Sequence, residues 1–195
     1  MRVIAGKYRG HPLRSLRGTD IRPTSDRLRE TLFNVLTGGN PKALEGCVWL
    51  DLFAGTGAVG IEALSRGAKQ AYFVETLAPA AKLIEQNLHS LGIVDGYRIL
   101  RDDLSGALWR LHREHVAADV VFLDPPYRMR NAYEETLTGL ADSSLVWAMS
   151  LVIAEHEKTF DPGDEFGSLR RIRKLAQGNA ALSFYRIGGQ PDLST

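Results

Sequence analysis

The chain has 195 residues, of which 44% are apolar and 24% are charged. These values are ordinary for a globular protein, and a chain of this length can bury a substantial core as one domain. The single cysteine, Cys47, excludes an internal disulfide and a cysteine-rich metal site. No stretch approaches the ~18 apolar residues that a membrane helix needs, and no apolar segment near Met1 has the character of a secretory signal. We therefore expect a cytoplasmic protein.

Charge is unevenly distributed along the chain. Residues 1–29 contain eight basic and two acidic residues, a net charge of +6, whereas the whole chain carries +1. This asymmetry suggests a basic surface that faces a polyanion, although a solvated basic arm would give the same pattern. Glycine and proline break residues 1–22 into short segments, which predict a small hairpin-like extension. A single larger domain is expected over residues 23–195.

The first predicted helix begins at Thr24, whose side chain can cap it, and ends at Gly38. From residue 47 the pattern changes to an alternation of strands and helices. The predicted strands cover residues 47–53, 71–75, 97–102, 120–123 and 151–154, and the predicted helices cover 57–66, 79–91, 104–115 and 131–141.

The end of the chain has a different pattern. Residues 168–175 and 180–187 are two strand candidates joined by Gln177-Gly178-Asn179, a hairpin signal. Alternating helices and apolar strands predict an α/β fold with a parallel sheet covered on both faces. We therefore predict a Rossmann-like, mostly parallel seven-stranded sheet that ends in an antiparallel hairpin, as in class I methyltransferases. Glu155, His156 and Glu157 are expected at the surface after the fifth strand.

A glycine-rich loop follows the first predicted strand of this sheet. Gly55, Gly57 and Gly60 fit the G-x-G-x-x-G dinucleotide fingerprint, and Glu75 lies about 20 residues further on. By this fingerprint alone, an NAD-dependent oxidoreductase is a competing prediction. Asp51 argues against it, because a carboxylate at the end of the strand would repel a pyrophosphate but favour the ammonium and sulfonium groups of S-adenosylmethionine. The segment resembles the D-x-F-x-G-x-G loop of class I methyltransferases, with Asp51, Phe53, Ala54, Gly55 and Gly57 as cofactor-binding residues.

Two further carboxylates complete the predicted cofactor site. Glu75, at the end of the second strand, suits the ribose hydroxyls of the adenosyl group. Asp103, at the end of the third strand, suits the adenine amino group, and the neighbouring Asp102 is the alternative. Either aspartate could instead cap the helix that follows.

Asp124-Pro125-Pro126-Tyr127 follows the fourth predicted strand and is the predicted catalytic segment. Ligands of open α/β sheets bind outside the carboxyl ends of the strands, so this segment is expected to face the cofactor. The Asp124 carboxylate and a backbone carbonyl, assigned to Pro125, can accept both N–H groups of an exocyclic amine. The prolines stiffen this acceptor, and Tyr127 offers a ring for base stacking. The segment predicts amino methylation of a nucleic-acid base, although two prolines could simply end a strand.

Residues 1–10, 22–34 and 60–67 resemble the bacterial small-subunit (16S) ribosomal RNA guanine-N2 methyltransferases of the RsmD type. The resemblance implies S-adenosylmethionine as cofactor and a guanine in 16S rRNA as substrate, within the small subunit or an assembly intermediate. It also implies that basic residues near the N-terminus grip RNA, with Arg22, Arg27 and Arg29 as candidates. Salt bridges from Arg27 or Arg29 to neighbouring acids are the alternative.

Other activities stay open at this point. A DNA amino-methyltransferase would activate an exocyclic amine with the same kind of Asp124–Tyr127 segment. An RNA-binding assembly factor could keep the fold without catalysis. The five histidines show no metal-ligand spacing with a third ligand, so no metal ion is expected. A monomer is expected. A basic run, Arg170-Arg171-x-Arg173-Lys174, is expected on a solvated sheet edge, with a second RNA contact as the sharper alternative.

Overall fold

A computed structural model describes residues 1–15 and 25–188 of the chain. These residues divide between two compact units, Met1–Asp103 and Leu104–Thr195. Within the described part of the chain, no helix combines the length and apolar character needed to cross a membrane.

Residues 1–15 double back on themselves in the first unit. An antiparallel bridge joins Arg2 to Pro12, and Val3 N donates to His11 O at 3.0 Å. Leu13 N donates to Met1 O at 3.1 Å, which closes the open end of this hairpin-like segment. Residue 22 lies outside the described residues, so the predicted boundary between a 1–22 extension and a 23–195 domain stays a prediction.

Helix α1 covers Asp26–Thr37, and its N-cap lies one residue later than predicted. Its N-cap is Ser25, whose side-chain oxygen accepts the N–H of Leu28 at 3.2 Å. The expectation of a Thr24 cap was wrong. Ser25 is the residue whose side-chain oxygen lies within hydrogen-bond distance of a free N–H in the first turn, that of Leu28. At the other end Gly38 adopts the left-handed conformation, as the sequence predicts.

The first unit contains a three-stranded parallel sheet with strand order β3-β2-β1. Its strands are β1 Val48–Leu52, β2 Gln70–Val74 and β3 Tyr97–Leu100, and its sheet-connecting helices are α2 Ala58–Ser65 and α3 Ala78–Ser90. Trp49, Leu50 and Phe73 are fully buried, and the Trp49 ring stacks on Phe33 of α1 with centroids 5.4 Å apart. The sheet therefore carries its core on the residues that the sequence predicts as buried strands.

The second unit combines two helices with five strands. The helices are α4 Leu104–Arg113 and α5 Asn131–Ala141; the strands are β4 Val120–Leu123, β5 Leu151–Glu157, β6 Glu165–Phe166, β7 Leu169–Gln177 and β8 Ala180–Ile187. Strands β4 and β5 are parallel, and β5-β8-β7-β6 are antiparallel neighbours.

The α/β class with parallel strands and a C-terminal antiparallel hairpin is confirmed. Two details differ from the prediction. The described residues contain eight strands, because two-residue β6 is too short to show any periodicity. Strand β5 continues to Glu157, so Glu155 and His156 are buried in the sheet and the expected surface position was wrong. Pairing of His156 with Ala181 of β8 extends the strand beyond its apolar run.

Candidate active site

Asp51 lies inside β1, and its carboxyl group holds the start of α2. Its side chain is 2% exposed, and Oδ2 accepts the N–H of Gly60 at 2.9 Å. The pKa of Asp51 is raised to about 8, chiefly by burial; the Gly60 N–H opposes this shift and the nearby charge of Glu75 adds to it. A cationic ligand beside this group would favour its ionised form, whereas a phosphate would not.

The loop between β1 and α2 adopts unusual backbone angles. Gly55 and Gly57 have φ values of +55° and +75°, in the left-handed region that glycine tolerates. Phe53 has φ +62°, which is strained for an aromatic residue and is found mainly at functional sites. The N–H of Ala54 donates to Val74 O at 3.0 Å, which anchors the loop to β2.

Glu75 joins the glycine loop to the end of β2. Its side chain is 8% exposed; Oε2 accepts the N–H of Gly55 at 2.9 Å and Oε1 accepts the N–H of Leu77 at 2.8 Å. Each carboxylate oxygen has a second lone pair, so both can still accept from hydroxyl groups. Glu75 thus fixes the loop and remains a candidate acceptor for a diol.

Asp102 and Asp103 follow β3 at the same edge of this sheet. Strand pairing sets Val74 opposite Leu100, and Glu75 N donates to Leu100 O at 3.1 Å. Asp102 Oδ1 accepts the N–H of Asp103 at 3.0 Å, and Asp103 directly precedes α4. Both residues make further interactions, and their position supports the ligand and the helix-cap interpretations alike. The structure thus brings together the predicted cofactor residues of the first unit: Asp51, Phe53, Ala54, Gly55, Gly57, Glu75 and Asp103.

Asp124, Pro125, Pro126 and Tyr127 follow β4 directly in the second unit. Asp124 and Tyr127 are half-buried, Pro125 is buried and Pro126 is exposed. The Pro126 carbonyl accepts the N–H of Met129 at 2.7 Å, so the Pro125 carbonyl is the one that we assign as a ligand acceptor.

Tyr133 of α5 interacts electrostatically with Asp124 and Tyr127 of this segment. It is 1% exposed, and its hydroxyl donates to Glu155 O at 2.9 Å. Burial raises its pKa, and the nearby charges of Asp124 and Tyr127 raise it further. Tyr133 therefore stays a neutral hydrogen-bond donor and cannot serve as a base near neutral pH.

Arg27 and Arg29 of α1 have different surroundings. Arg27 is exposed and lines a polar concavity of about 450 Å³ together with Arg2, Arg9 and Glu30. Arg29 is fully buried: Nη2 donates to Asp26 Oδ1 at 3.0 Å and to the Arg2 carbonyl, and Nε lies 4.0 Å from Glu62 Oε2. The expectation that Arg29 contacts RNA was therefore wrong in this structure, because its guanidinium is used inside the first unit. Arg22, the third predicted contact, lies outside the described residues.

Two buried residues of α2 that sequence reasoning missed hold the N-terminal segment. Glu62 accepts the N–H groups of Ile4 at 2.8 Å and Ala5 at 2.9 Å, and it pairs with Arg66 at 2.8 Å. Ser65 Oγ accepts the N–H of Tyr8 at 3.0 Å. An acidic residue between Ile61 and Ala63 on an otherwise apolar helix was the available sequence signal, since buried charges need partners.

The family model described as "Conserved hypothetical protein 95" matches residues 1–186. The chain belongs to this family. Named relatives support the predicted resemblance: YlbH of Bacillus subtilis (strain 168), a putative rRNA methyltransferase, is 32% identical over 189 residues, covering 97% of this chain and 100% of that protein. "Ribosomal RNA small subunit methyltransferase D" of Escherichia coli (strain K12) is 36% identical over 157 residues, covering 80% and 75%. The predicted RsmD-type resemblance is thereby confirmed.

Solved structures show the same fold. A hypothetical protein from Thermus thermophilus matches with a TM-score of 0.81 and 29% identity, covering 96% of this chain and 99% of that one. An RNA methyltransferase from Salinibacter ruber, solved with S-adenosyl-L-homocysteine, matches with a TM-score of 0.67 and 16% identity, covering 89% and 98%. The second match shows the fold alone, and that fold is the Rossmann-like α/β architecture predicted from the sequence.

Proposed function

We propose that the chain transfers a methyl group from S-adenosylmethionine to the N2 amino group of a guanine in small-subunit (16S) rRNA. The observation that carries the proposal is the Asp124–Tyr127 segment directly after β4, in a family with a member named ribosomal RNA small subunit methyltransferase D. A methyl-labelling experiment distinguishes this function from DNA amino-methylation and from a non-catalytic role in ribosome assembly.

The donor set of the first unit fits S-adenosylmethionine better than a dinucleotide. Asp51 and Glu75 are buried carboxyl groups, and the loop after β1 has left-handed backbone angles at Phe53, Gly55 and Gly57. Carboxylates favour an ammonium group and ribose hydroxyls, but they repel a pyrophosphate. When bound, S-adenosylmethionine supplies a methyl group on cationic sulfur, which an amine lone pair takes while the electrons of the C–S bond pass to sulfur.

Asp124 and Pro125 prepare the amine for this attack. The lone pair of the guanine amino group is delocalised into the ring, so the free base is a poor nucleophile. Hydrogen bonds from its two N–H groups to the Asp124 carboxylate and the Pro125 carbonyl favour a pyramidal nitrogen with a localised lone pair. The methylated amine becomes acidic and gives its extra proton to water, so positioning and electrostatics supply most of the rate.

Tyr127 holds the base in the plane that this geometry requires. It is half-buried, and we assign its ring to stacking on an unpaired guanine. Stacking of a base on an aromatic ring contributes about 1–3 kcal/mol in single-strand binders. Because this recognition needs a splayed base, the target guanine is expected to be unpaired or flipped.

The N-terminal segment and α1 supply the RNA-binding surface in this proposal. Arg2, Arg9 and Arg27 are exposed and line one concavity with Glu30, and cations of this kind bind phosphates. Arg22 is kept as a further candidate, and residues 1–22 as a basic extension of a catalytic domain over residues 23–195. We expect the protein to act as a monomer in the cytoplasm, on the small subunit or an assembly intermediate.

The proposal is tested with methyl-labelled S-adenosylmethionine and three acceptors: small ribosomal subunits lacking the modification, naked rRNA and duplex DNA. We expect label in RNA, with the subunit as the best acceptor, and digestion to nucleosides should place it in N2-methylguanosine. Label in DNA alone, or in N6-methyladenine, would contradict the assignment. Cofactor binding without transfer to any acceptor would favour the non-catalytic assembly role.

A further inference from the structure

Asn87 of α3 is a fully buried polar residue that the proposed chemistry does not use. Its side chain has 0% exposure, so its amide needs partners within the protein. Oδ1 accepts the N–H of Arg14 at 2.8 Å, and Nδ2 donates to the Arg14 carbonyl at 3.2 Å. Nδ2 also donates to the carbonyl of Thr56 at 3.0 Å. One amide therefore binds the N-terminal segment and the glycine loop at the same time.

Thr56 lies at the centre of the loop, between the two glycines with positive φ. Its side chain is 5% exposed, and its carbonyl points to Asn87 rather than along α2. The Asn87 hydrogen bond therefore holds the backbone between Gly55 and Gly57. A displacement of the amide changes the conformation of the loop whose backbone we assign to the cofactor.

The N-terminal segment is attached to the same region by a second route. Lys7 N donates to the Ser65 carbonyl at 2.7 Å, and Glu62 holds Ile4 and Ala5. Helix α2, which carries these acceptors, begins directly after Gly57. Residues 1–15 thus contact the loop through Asn87 on one side and through the loop's own helix on the other.

We infer that Asn87 is a positioning residue that couples RNA binding by the N-terminal segment to cofactor binding by the glycine loop. The inference rests on the proposed function, because it assigns RNA to the segment and S-adenosylmethionine to the loop. RNA that fixes the Arg14 backbone orients the Asn87 amide, and the amide in turn holds Thr56 in its ligand-binding conformation. Coupling between two binding sites is reciprocal, so bound cofactor strengthens RNA binding by the same factor.

The test compares the dissociation constant of S-adenosylhomocysteine without RNA and with saturating unmethylated small ribosomal subunits. In the native protein we expect at least about fivefold tighter binding with subunits present, the lower end of typical coupling. Arg14→Pro removes the N–H that donates to Asn87, whereas Arg14→Ala removes the same guanidinium and keeps that N–H. The coupling factor is the dissociation constant without subunits divided by the dissociation constant with them. We expect Arg14→Pro to lower this factor to about one, and Arg14→Ala to leave it at its native value.

Asn87→Ser tests the amide itself, with Gln86→Ala as the control because Gln86 is exposed on the same helix. A residue that only stabilises the fold would change cofactor affinity equally with and without subunits. If Asn87→Ser fails to fold, the Arg14 pair decides alone. A native factor of one, or a factor that persists in Arg14→Pro, overturns the inference. If the native protein binds neither ligand, the proposed function itself fails, which is a different result.

Discussion

The buried carboxyl group of Asp51 makes the stability of the folded protein depend on pH. Burial raises its folded pKa to about 8, above the ordinary value of 3.8, so the folded protein holds a proton that the unfolded chain loses. The contribution of this group to stability is therefore fully present below about pH 4 and is lost as pH rises through about 8. Glu75 adds to the shift, so the two carboxyl groups of the cofactor region are electrostatically coupled.

Asp51→Asn should remove this pH dependence, because an amide keeps an acceptor for the Gly60 N–H and does not ionise. Relative to the variant, the native protein should lose about 2 kcal/mol or more of unfolding free energy between pH 4 and pH 8. Urea titrations across this range measure the difference. Asp95→Asn, at an exposed site, is the control, and parallel pH profiles for native and Asp51→Asn would contradict the shifted pKa.

Gly60 is required for space rather than for its backbone angle. A Cβ atom there would lie 2.4 Å from Cε1 of Phe73 and 3.1 Å from Oδ2 of Asp51. Gly60→Ala should cost about 1–3 kcal/mol, the usual range for overpacking. Gly139→Ala in α5 is the matched control, since its nearest neighbour is Leu108 Cδ1 at 3.8 Å. There the substitution should be neutral or stabilising; equal destabilisation of both variants in urea unfolding would argue against the packing explanation.

The positions of residues in the cofactor region can be predicted from the sequence, whereas the burial of Arg29 cannot. Asp51 and Glu75 lie in the C-terminal halves of predicted strands, and strands can be read from local patterns. Arg29 is buried because Glu62 of α2, 33 positions away, comes close to it. No local periodicity specifies such a long-range ion pair, so the sequence alone made Arg29 equivalent to exposed Arg27.

At the scale of elements, Glu62 fixes the N-terminal segment and α1 on helix α2. Glu62→Gln removes the charge that faces Arg29 and Arg66, and loss of one partner of a buried ion pair is strongly destabilising. We expect a loss of about 3 kcal/mol in the free energy of unfolding, measured by urea denaturation. Glu85→Gln on the exposed face of α3 should change stability by less than about 0.5 kcal/mol. A loss of that small size in Glu62→Gln would contradict the assigned role.

Helix α1 and the N-terminal segment should dominate the salt dependence of RNA binding. Arg27→Gln should lower the slope of log affinity against log salt by about 0.7–0.9, the contribution of one phosphate contact. The measurement is filter binding to unmethylated small subunits at several salt concentrations. Arg113→Gln, on α4 where Arg113 stacks on Trp109, is the control and should leave the slope unchanged. Equal slopes in native protein and Arg27→Gln would remove Arg27 from the RNA surface.

Two features of the C-terminal strands could not be predicted from the sequence, because they depend on partners that lie elsewhere in the chain. The basic run on β7 is largely neutralised, because Glu165 pairs with Arg170 and Asp164 pairs with Arg171. Asp161 pairs with both Arg171 and Lys174, and these cations hold its own pKa below the ordinary value. This acid comes from the connection before β6, which carries no apolar pattern. His156 is likewise buried through a hydrogen bond to Ser183 Oγ at 2.9 Å, a partner on β8. Long-range pairing decided both outcomes.

At the scale of the molecule, the order of strands and helices, the loop after β1 and the Asp124–Tyr127 segment after β4 were all predictable. Each depends on a short-range pattern that survives in a single sequence. The attachment of residues 1–15 to α2 and α3 was not predictable, because it depends on buried polar side chains that meet backbone groups far away in sequence. Those contacts now connect the two proposed binding functions of the first unit.

The most direct measurement is mass spectrometric quantification of N2-methylguanosine in small-subunit rRNA before and after incubation with the protein and S-adenosylmethionine. We expect a gain of one N2-methylguanosine per unmodified subunit, and a rate at least about 100-fold lower for Asp124→Ala with S-adenosylhomocysteine affinity unchanged. No gain of N2-methylguanosine with the native protein, or an undiminished rate with Asp124→Ala, would contradict it.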